Sequence, residues 1–366
     1  MKKSRIALAA LIAAAGGSAF AQSSVTVFGI IDTSLSHGSG SVSSRTFLAN
    51  SAYNSSRLGF RGTEDLGGGD SASFWLEAGV ASDDGQGSAS SATNQPIGAF
   101  NTTTGANAPV RAGTQGLTFN RRSTVSLQGS WGELRVGRDY VPQYWNLTTF
   151  DPFSANGVGG NQLVNGTNGL AVTSQTVGVR ASNNIGYFLP ARLGGVYGQV
   201  NTWLGENPSG TPTSKDGRGV GFRLGYAAGP VNVAIASGTT KYASGDFRQS
   251  NIGGQWDAGV LRLVAQVSRD RLGVVHGRGW LLGTIVPIGA DDVHATYARY
   301  RSDLLGTPEA RKLAISYVHN FSKRTAVYAT TARLKNSGGA TQALGGSATA
   351  ANGSSTGYDL GVRHSF

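Results

Sequence analysis

Cysteine is absent from this 366-residue chain, and its single methionine is the initiator. There is therefore no disulfide framework, and a chain this long can bury enough surface to need none. Charge is also scarce, at 14% of residues against about 25% in ordinary soluble domains. Ten prolines and no three-residue glycine period exclude collagen. Beyond residue 21 no run of 18 consecutive apolar residues occurs, so any membrane crossing is not helical. The five histidines have no ligand-spaced partners. There is no H-E-x-x-H, no G-x-S-x-G elbow and no G-x-x-x-x-G-K-[ST] phosphate loop. No enzyme activity, metal or cofactor is expected.

What the chain does contain is glycine, 55 residues, or about twice the roughly 7% of an average protein. Aromatics at 9% and hydrophobics at 39% argue against disorder. The first residues form a unit of their own. Met1–Lys3 and Arg5 are a positive start, Ile6–Ala15 is apolar, and Ala19-Phe20-Ala21 is an A-x-A cleavage pattern. Residues 1–21 are read as a secretory signal peptide, leaving 22–366 as one mature domain. With the signal removed the net charge falls from +11 to +8, carried by 23 arginines against 5 lysines. Arginine is planar, weakly hydrated and permanently charged, which suits repeated capture and release of anions. These arginines are spread singly along an exported chain, so nucleic acid is not expected as a partner.

The mature chain lacks helical periodicity and instead alternates with period two. Val220, Phe222, Leu224 and Tyr226 form one face, with Gly221, Arg223 and Gly225 on the other. Leu261, Leu263, Ala265 and Val267 behave likewise, as do Tyr358, Leu360, Val362, His364 and Phe366. Short turns are expected near Leu66–Gly69, Gly129–Gly132, Leu189–Gly194, Ala227–Pro230, Trp256–Gly259, Pro287–Asp291 and Phe321–Arg324. Long polar loops are expected near 37–50, 81–115, 141–172, 206–218, 241–249, 271–278, 303–310 and 336–356. Seven short connections alternating with eight long ones predict sixteen antiparallel strands, with both termini and every short turn at one end. That is the pattern of an all-β transmembrane barrel of the bacterial outer membrane, where every backbone group is paired in a closed sheet. Arginine facing lipid costs roughly 2–4 kcal/mol near the midplane, so Arg57, Arg61, Arg223, Arg262 and Arg363 are expected to point inward. Tyr187, Tyr226, Trp256, Trp280, Tyr317 and Tyr358 suit the interfacial girdles.

Several segments carry a resemblance to a known family. They are Ser24–Asp32, Ser56–Leu66, Gly132–Arg138, Phe150-Asp151-Pro152-Phe153, Asn320–Thr325, Ala332–Asn336 and the closing Phe366. In this order the chain resembles the Gram-negative general porins, particularly the β-proteobacterial branch. The resemblance implies a homotrimer in outer-membrane lipid, with a water-filled channel for passive diffusion of ions and small hydrophilic solutes. It also implies a third external loop, here Tyr140–Leu170, folded into the lumen and packed there by Tyr144, Trp145, Phe150 and Phe153. The terminal aromatic resembles the signal read by the barrel-assembly machinery. The second loop looks longer than is typical and, from its Ser/Thr/Gly/Ala composition, mobile.

A ring of arginines favours anions. The expected wall of the constriction is Arg57 and Arg61 of the second strand, Arg122 of the fourth, Arg135 of the fifth and Arg180 of the sixth. Adjacent Arg121 is the alternative to Arg122. Asp139 and Asp151 are the candidate opposing carboxylates. The resulting expectation is an anion-preferring general channel. The alternative is a substrate-selective channel for a particular anionic solute or sugar.

Overall fold

The computed structural model describes residues 24–88, 94, 100–101, 106–107, 114–169 and 178–366. The signal-peptide segment 1–21 lies outside the described residues. Sixteen antiparallel strands form one closed sheet. They are β1 (Ser24–Gly40), β2 (in two pieces, Ser44–Asn50 and Arg57–Gly67), β3 (Asp70–Gly79) and β4 (Arg122–Gly129). Next come β5 (Gly132–Tyr140), β6 (Arg180–Phe188), β7 (Val196–Trp203) and β8 (Gly219–Ala228). β9 (Val231–Thr240), β10 (Phe247–Asp257), β11 (Arg262–Leu272) and β12 (Val275–Ile288) follow. β13 (Asp291–Ser302), β14 (Glu309–Asn320), β15 (Thr325–Ser337) and β16 (Ser354–Ser365) complete the wall.

The alternation seen in the sequence becomes the two faces of this wall. On β8, Val220, Phe222, Leu224 and Tyr226 are exposed on the outside, whereas Gly221, Arg223 and Gly225 are buried on the inside. On β1 the buried set is polar: Asp32, Ser34 and Ser36. An apolar exterior around a polar interior is the inverse of a soluble sandwich, and it is what a hydrocarbon solvent selects. The five arginines expected inward all lie on the inward parity: Arg57 and Arg61 pair with Ile30 and Thr26, and Arg363 pairs with buried Asp32.

Closure is made by β1 against β16, from Ile30↔Ser365 to Gly40↔Ser355. It ends in a reciprocal pair: the Phe366 N–H donates to the Gly29 carbonyl and the Gly29 N–H to the Phe366 carbonyl, both at 3.1 Å. Deleting Phe366 removes both bonds, each worth about 1 kcal/mol net. The unfolding midpoint of the detergent-solubilised barrel should then drop by roughly 2–4 °C. An unchanged midpoint would show that closure above Ile30 is sufficient.

Two expected loops are instead strand. Residues 37–50 continue β1 to Gly40 and return as the first piece of β2, with Leu35 paired to Leu48. The chain then bends over 51–56, where the Asp32 carboxylate accepts from the Tyr53 and Asn54 amides. Residues 271–278 form a tight hairpin in which only 273 and 274 are unpaired, with Gly273 at φ +57°. Both stretches are rich in Ser, Gly, Arg and His because these strands run past the bilayer into water, where side-chain polarity no longer distinguishes strand from loop.

Of the second loop, 89–93, 95–99, 102–105 and 108–113 lie outside the described residues, and its expected mobility with them. Asn94 accepts from the Ser182 amide at 2.6 Å and donates to the Ser182 and Leu204 carbonyls at 2.7 and 3.0 Å. Asn94 itself is thereby held at the ends of β6 and β7.

Candidate functional site

Strand register brings most of the candidate arginines onto one stretch of inner wall. Arg61 is opposite Trp75, and Gly59 is opposite Glu77, which in turn faces Arg122 across β3 and β4. Arg135 on β5 is opposite Ser126. Four of these guanidiniums lie over aromatic rings, the geometry in which a desolvated cation is held without losing its charge. Arg61 is 5.4 Å from the Phe28 centroid and 5.3 Å from that of Trp75. Arg122 is 4.6 Å from Trp75, Arg135 4.0 Å from Phe188 and Arg180 4.3 Å from Tyr140.

Carboxylates are interleaved but outnumbered. Glu77 pairs with Arg121 at 2.5 Å and Arg57 at 3.5 Å. Arg135 bridges Glu133 at 2.8 Å and Asp139 at 2.7 Å, and Arg122 stands 3.7 Å from Asp139. Asp139 therefore sits on the arginine wall itself, at the end of β5, and does not face it across the lumen. Arg180 donates to the Arg121 carbonyl and to the Tyr140 hydroxyl, each at 2.8 Å. That ties it to the point where the chain leaves the wall. Arg61 has no carboxylate partner among the described residues. Arg121 and Arg122 have different partners: Glu77 takes the first and Asp139 the second.

Glu77 and its neighbour Trp75 were legible as inward residues, since Phe74 and Leu76 alternate with them. Arg121 precedes β4, so parity does not reach it.

The segment after β5 contains two helices, α1 (Pro142–Thr149) and α2 (Gln162–Gly169). α1 packs on β7–β10 and α2 on β12–β14. Several of its anchors are buried side chains of the wall. Asn146 accepts from Arg223 at 2.9 Å and donates to Asn251 at 2.8 Å. Gln266 donates to the Leu147 and Phe150 carbonyls at 3.2 and 2.5 Å. Lys312 donates to the Gly160 carbonyl, and Asp359 accepts from the Val158 amide at 2.9 Å. Phe150 is fully buried against Ala234 and Val264. It lies directly over Gly253, where a Cβ would stand 2.3 Å from its ring. The glycine is there for close approach. Leu163 is likewise buried with Leu281 and Tyr300.

Asp151 belongs to this segment's own architecture. Its carboxylate is buried and accepts from the Phe153 and Ala155 amides at 3.1 and 2.7 Å. It is thus spent on the turn that follows Phe150 and is not presented to the arginines. Burial pushes this carboxyl up to about 6, partly offset by the Phe153 and Ala155 amides and then by nearby Lys312, against about 3.9 when exposed. The seated state therefore holds the proton more tightly than a released one. Seating is strongest below the ordinary value near 4 and weakens as pH rises through about 6. Amide exchange across 150–160, corrected for its intrinsic pH dependence, should be up to about fiftyfold faster at pH 7.5 than at pH 4. Asp151→Asn should abolish the difference.

A closed sixteen-strand barrel with an apolar exterior and a charged, polar bore is a transmembrane channel of the outer-membrane type. The chain belongs to the Gram-negative porin family, whose sequence profile matches residues 7–339. It is 36% identical to outer membrane porin protein 32 of Delftia acidovorans over the whole of both chains. An outer membrane porin protein of Bordetella pertussis is 27% identical, also over the whole of both. Among solved structures, the anion-selective porin from Comamonas acidovorans matches with a TM-score of 0.80 and 32% identity, covering 94% of this chain and all of that one. The protein is an outer-membrane porin, a channel and not an enzyme.

Proposed function

We propose that this porin is an anion-preferring diffusion channel whose selectivity is set by the β2–β6 wall. The observation that carries this reading is the charge count there. In the cluster that the ion pairs and ring contacts define, Arg57, Arg61, Arg121, Arg122, Arg135 and Arg180 supply six guanidiniums against the three carboxylates of Glu77, Glu133 and Asp139. Aromatic stacking and ion pairs hold these side chains in place, so the excess positive charge is preorganised. In a narrow, low-dielectric passage such an excess attracts anions far more strongly than in open water.

The 141–169 segment narrows the passage by seating on β7–β16, opposite the arginines. A sixteen-strand barrel without such an obstruction leaves a wide aqueous bore. Its anchors on Gln266, Arg223, Lys312 and Asp359 support this. Family membership supports assembly as a homotrimer in outer-membrane lipid, export by a cleaved signal at residues 1–21, and recognition of Phe366 by the barrel-assembly machinery.

Reversal potentials across a planar bilayer under a salt gradient test the selectivity. An anion-side value is expected, and a cation-side value would overturn the assignment of the wall.

A further inference from the structure

A cleft of about 510 Å³ opens between the seated segment and the last long loop, which joins β15 to β16. That volume is in the range of small-molecule sites. Val158, Leu334 and Leu344 are buried and form an apolar floor. Leu334 takes the inward parity near the end of β15 that leads to the loop. The cleft therefore lies within the rim of the barrel, on the external side where long loops are found. Asn165, Thr341 and Ala343 are exposed around its edge. None of the described residues that line it is charged.

Both walls are fixed. Gln342 spans from the last loop to α2: its Oε1 accepts from Gln162 Nε2 at 2.6 Å, and its Nε2 donates to the Asn165 carbonyl at 2.9 Å. The Gln342 carbonyl accepts in turn from Asn336 at 2.7 Å and Thr349 at 3.2 Å. The Leu344 amide donates to the Ser355 hydroxyl at 3.0 Å. A cleft held in shape by its own hydrogen bonds loses little entropy when a ligand enters.

One polar atom in this cleft is left over. Gln162 is fully buried, and its Oε1 has no hydrogen-bond partner among the described residues. A buried acceptor without a donor is costly, so a ligand that supplies the donor is favoured. The rest of the lining narrows the ligand class. An anion finds no cation here and would face an amide oxygen. A cation finds no carboxylate. A wholly apolar molecule would leave Gln162 unsatisfied. A neutral ring bearing hydroxyls meets every feature, with O–H groups for Gln162, Thr341 and Asn165 and a C–H face for Leu334 and Leu344.

We propose that this cleft is a binding site for a neutral sugar of one or two rings, separate from the arginine wall. Its two walls come from segments that meet inside the rim, so the occupant is a free solute entering the channel. A sugar held there stands at the mouth of the bore and obstructs part of the ion current.

Current through the porin purified from outer membranes and reconstituted in a planar bilayer tests the proposal, with maltose added on the side of the long loops. After correction for bulk conductivity, the current should fall along a saturating curve with a millimolar midpoint. Gln162→Leu keeps the volume and removes the acceptor, and should raise that midpoint on the order of tenfold. Ala343→Trp fills the cleft from an exposed position and should abolish the saturable block. It serves alone if Gln162→Leu unseats α2. A current that only tracks bulk conductivity would overturn the proposal, as would an unchanged midpoint in both variants. Displacement of maltose by micromolar core oligosaccharide released from the cell's own surface glycan would overturn the assignment to a free solute. Without sugar, the reversal potential of Ala343→Trp should equal the parent's, which keeps this test separate from that of the arginine wall.

Discussion

Arg61→Glu combined with Arg122→Glu should move the reversal potential from the anion side of zero to the cation side. The ion-paired and stacked cluster on this wall would change from six guanidiniums against three carboxylates to four against five. Arg61 is the cleaner half of the pair because it has stacking partners, Phe28 and Trp75, and no carboxylate. Its replacement leaves no buried acid stranded. Arg122→Glu places a third acid beside Glu77 and Asp139, where repulsion in a confined passage is strongest. Under a tenfold gradient of a monovalent salt the potential can move at most between about −59 and +59 mV. A swing through zero is the expected outcome. The matched lysine variant keeps both charges, loses the stacked plane, and should keep its anion preference. A glutamate variant that stayed within a few millivolts of the parent would show that ions are sorted elsewhere.

The second large effect concerns the seated segment. Phe150→Ala should raise single-channel conductance on the order of twofold, the barrel itself staying intact. The ring is buried to the last atom between Ala234, Val264 and Gly253, and removing a buried phenylalanine costs about 3–5 kcal/mol. In this fold the loss falls on the segment, because the sheet is held by its own backbone ladders and does not depend on Phe150. Gly253→Leu attacks the same contact from the wall, where the new side chain would meet the ring and lift the segment. Agreement between the two variants identifies release of the segment as the cause. If both conduct like the parent and 150–160 remains protected from exchange, the polar anchors alone suffice to hold it.

Three outward arginines mark where reasoning from sequence stopped. Lipid-face cost assigned Arg57, Arg61, Arg223, Arg262 and Arg363 correctly to the lumen. The same argument applied to Arg269, Arg278 and Arg301 would have failed, because they take the outward parity near the strand ends that lead to the long loops. Height along a strand depends on register and tilt, and these are properties of the whole barrel. The same limit explains the stretches 37–50 and 271–278, which carry loop composition and yet continue their strands into water.

By itself the sequence determined the class of object. Period-two alternation, seven short connections and the lack of any long apolar run leave a closed antiparallel barrel as the way to pair every backbone group in hydrocarbon. It also determined which parity is wet, because charge is too costly on the other. The partnerships were decided only by the tertiary structure. Glu77 takes Arg121 while Asp139 takes Arg122 and Arg135, and Asp151 turns into its own segment to satisfy two backbone amides. Alternation reports the side of the wall on which a residue lies. Which charges meet is set by cross-strand register and by the path of the segment that follows β5, and neither is encoded in local sequence.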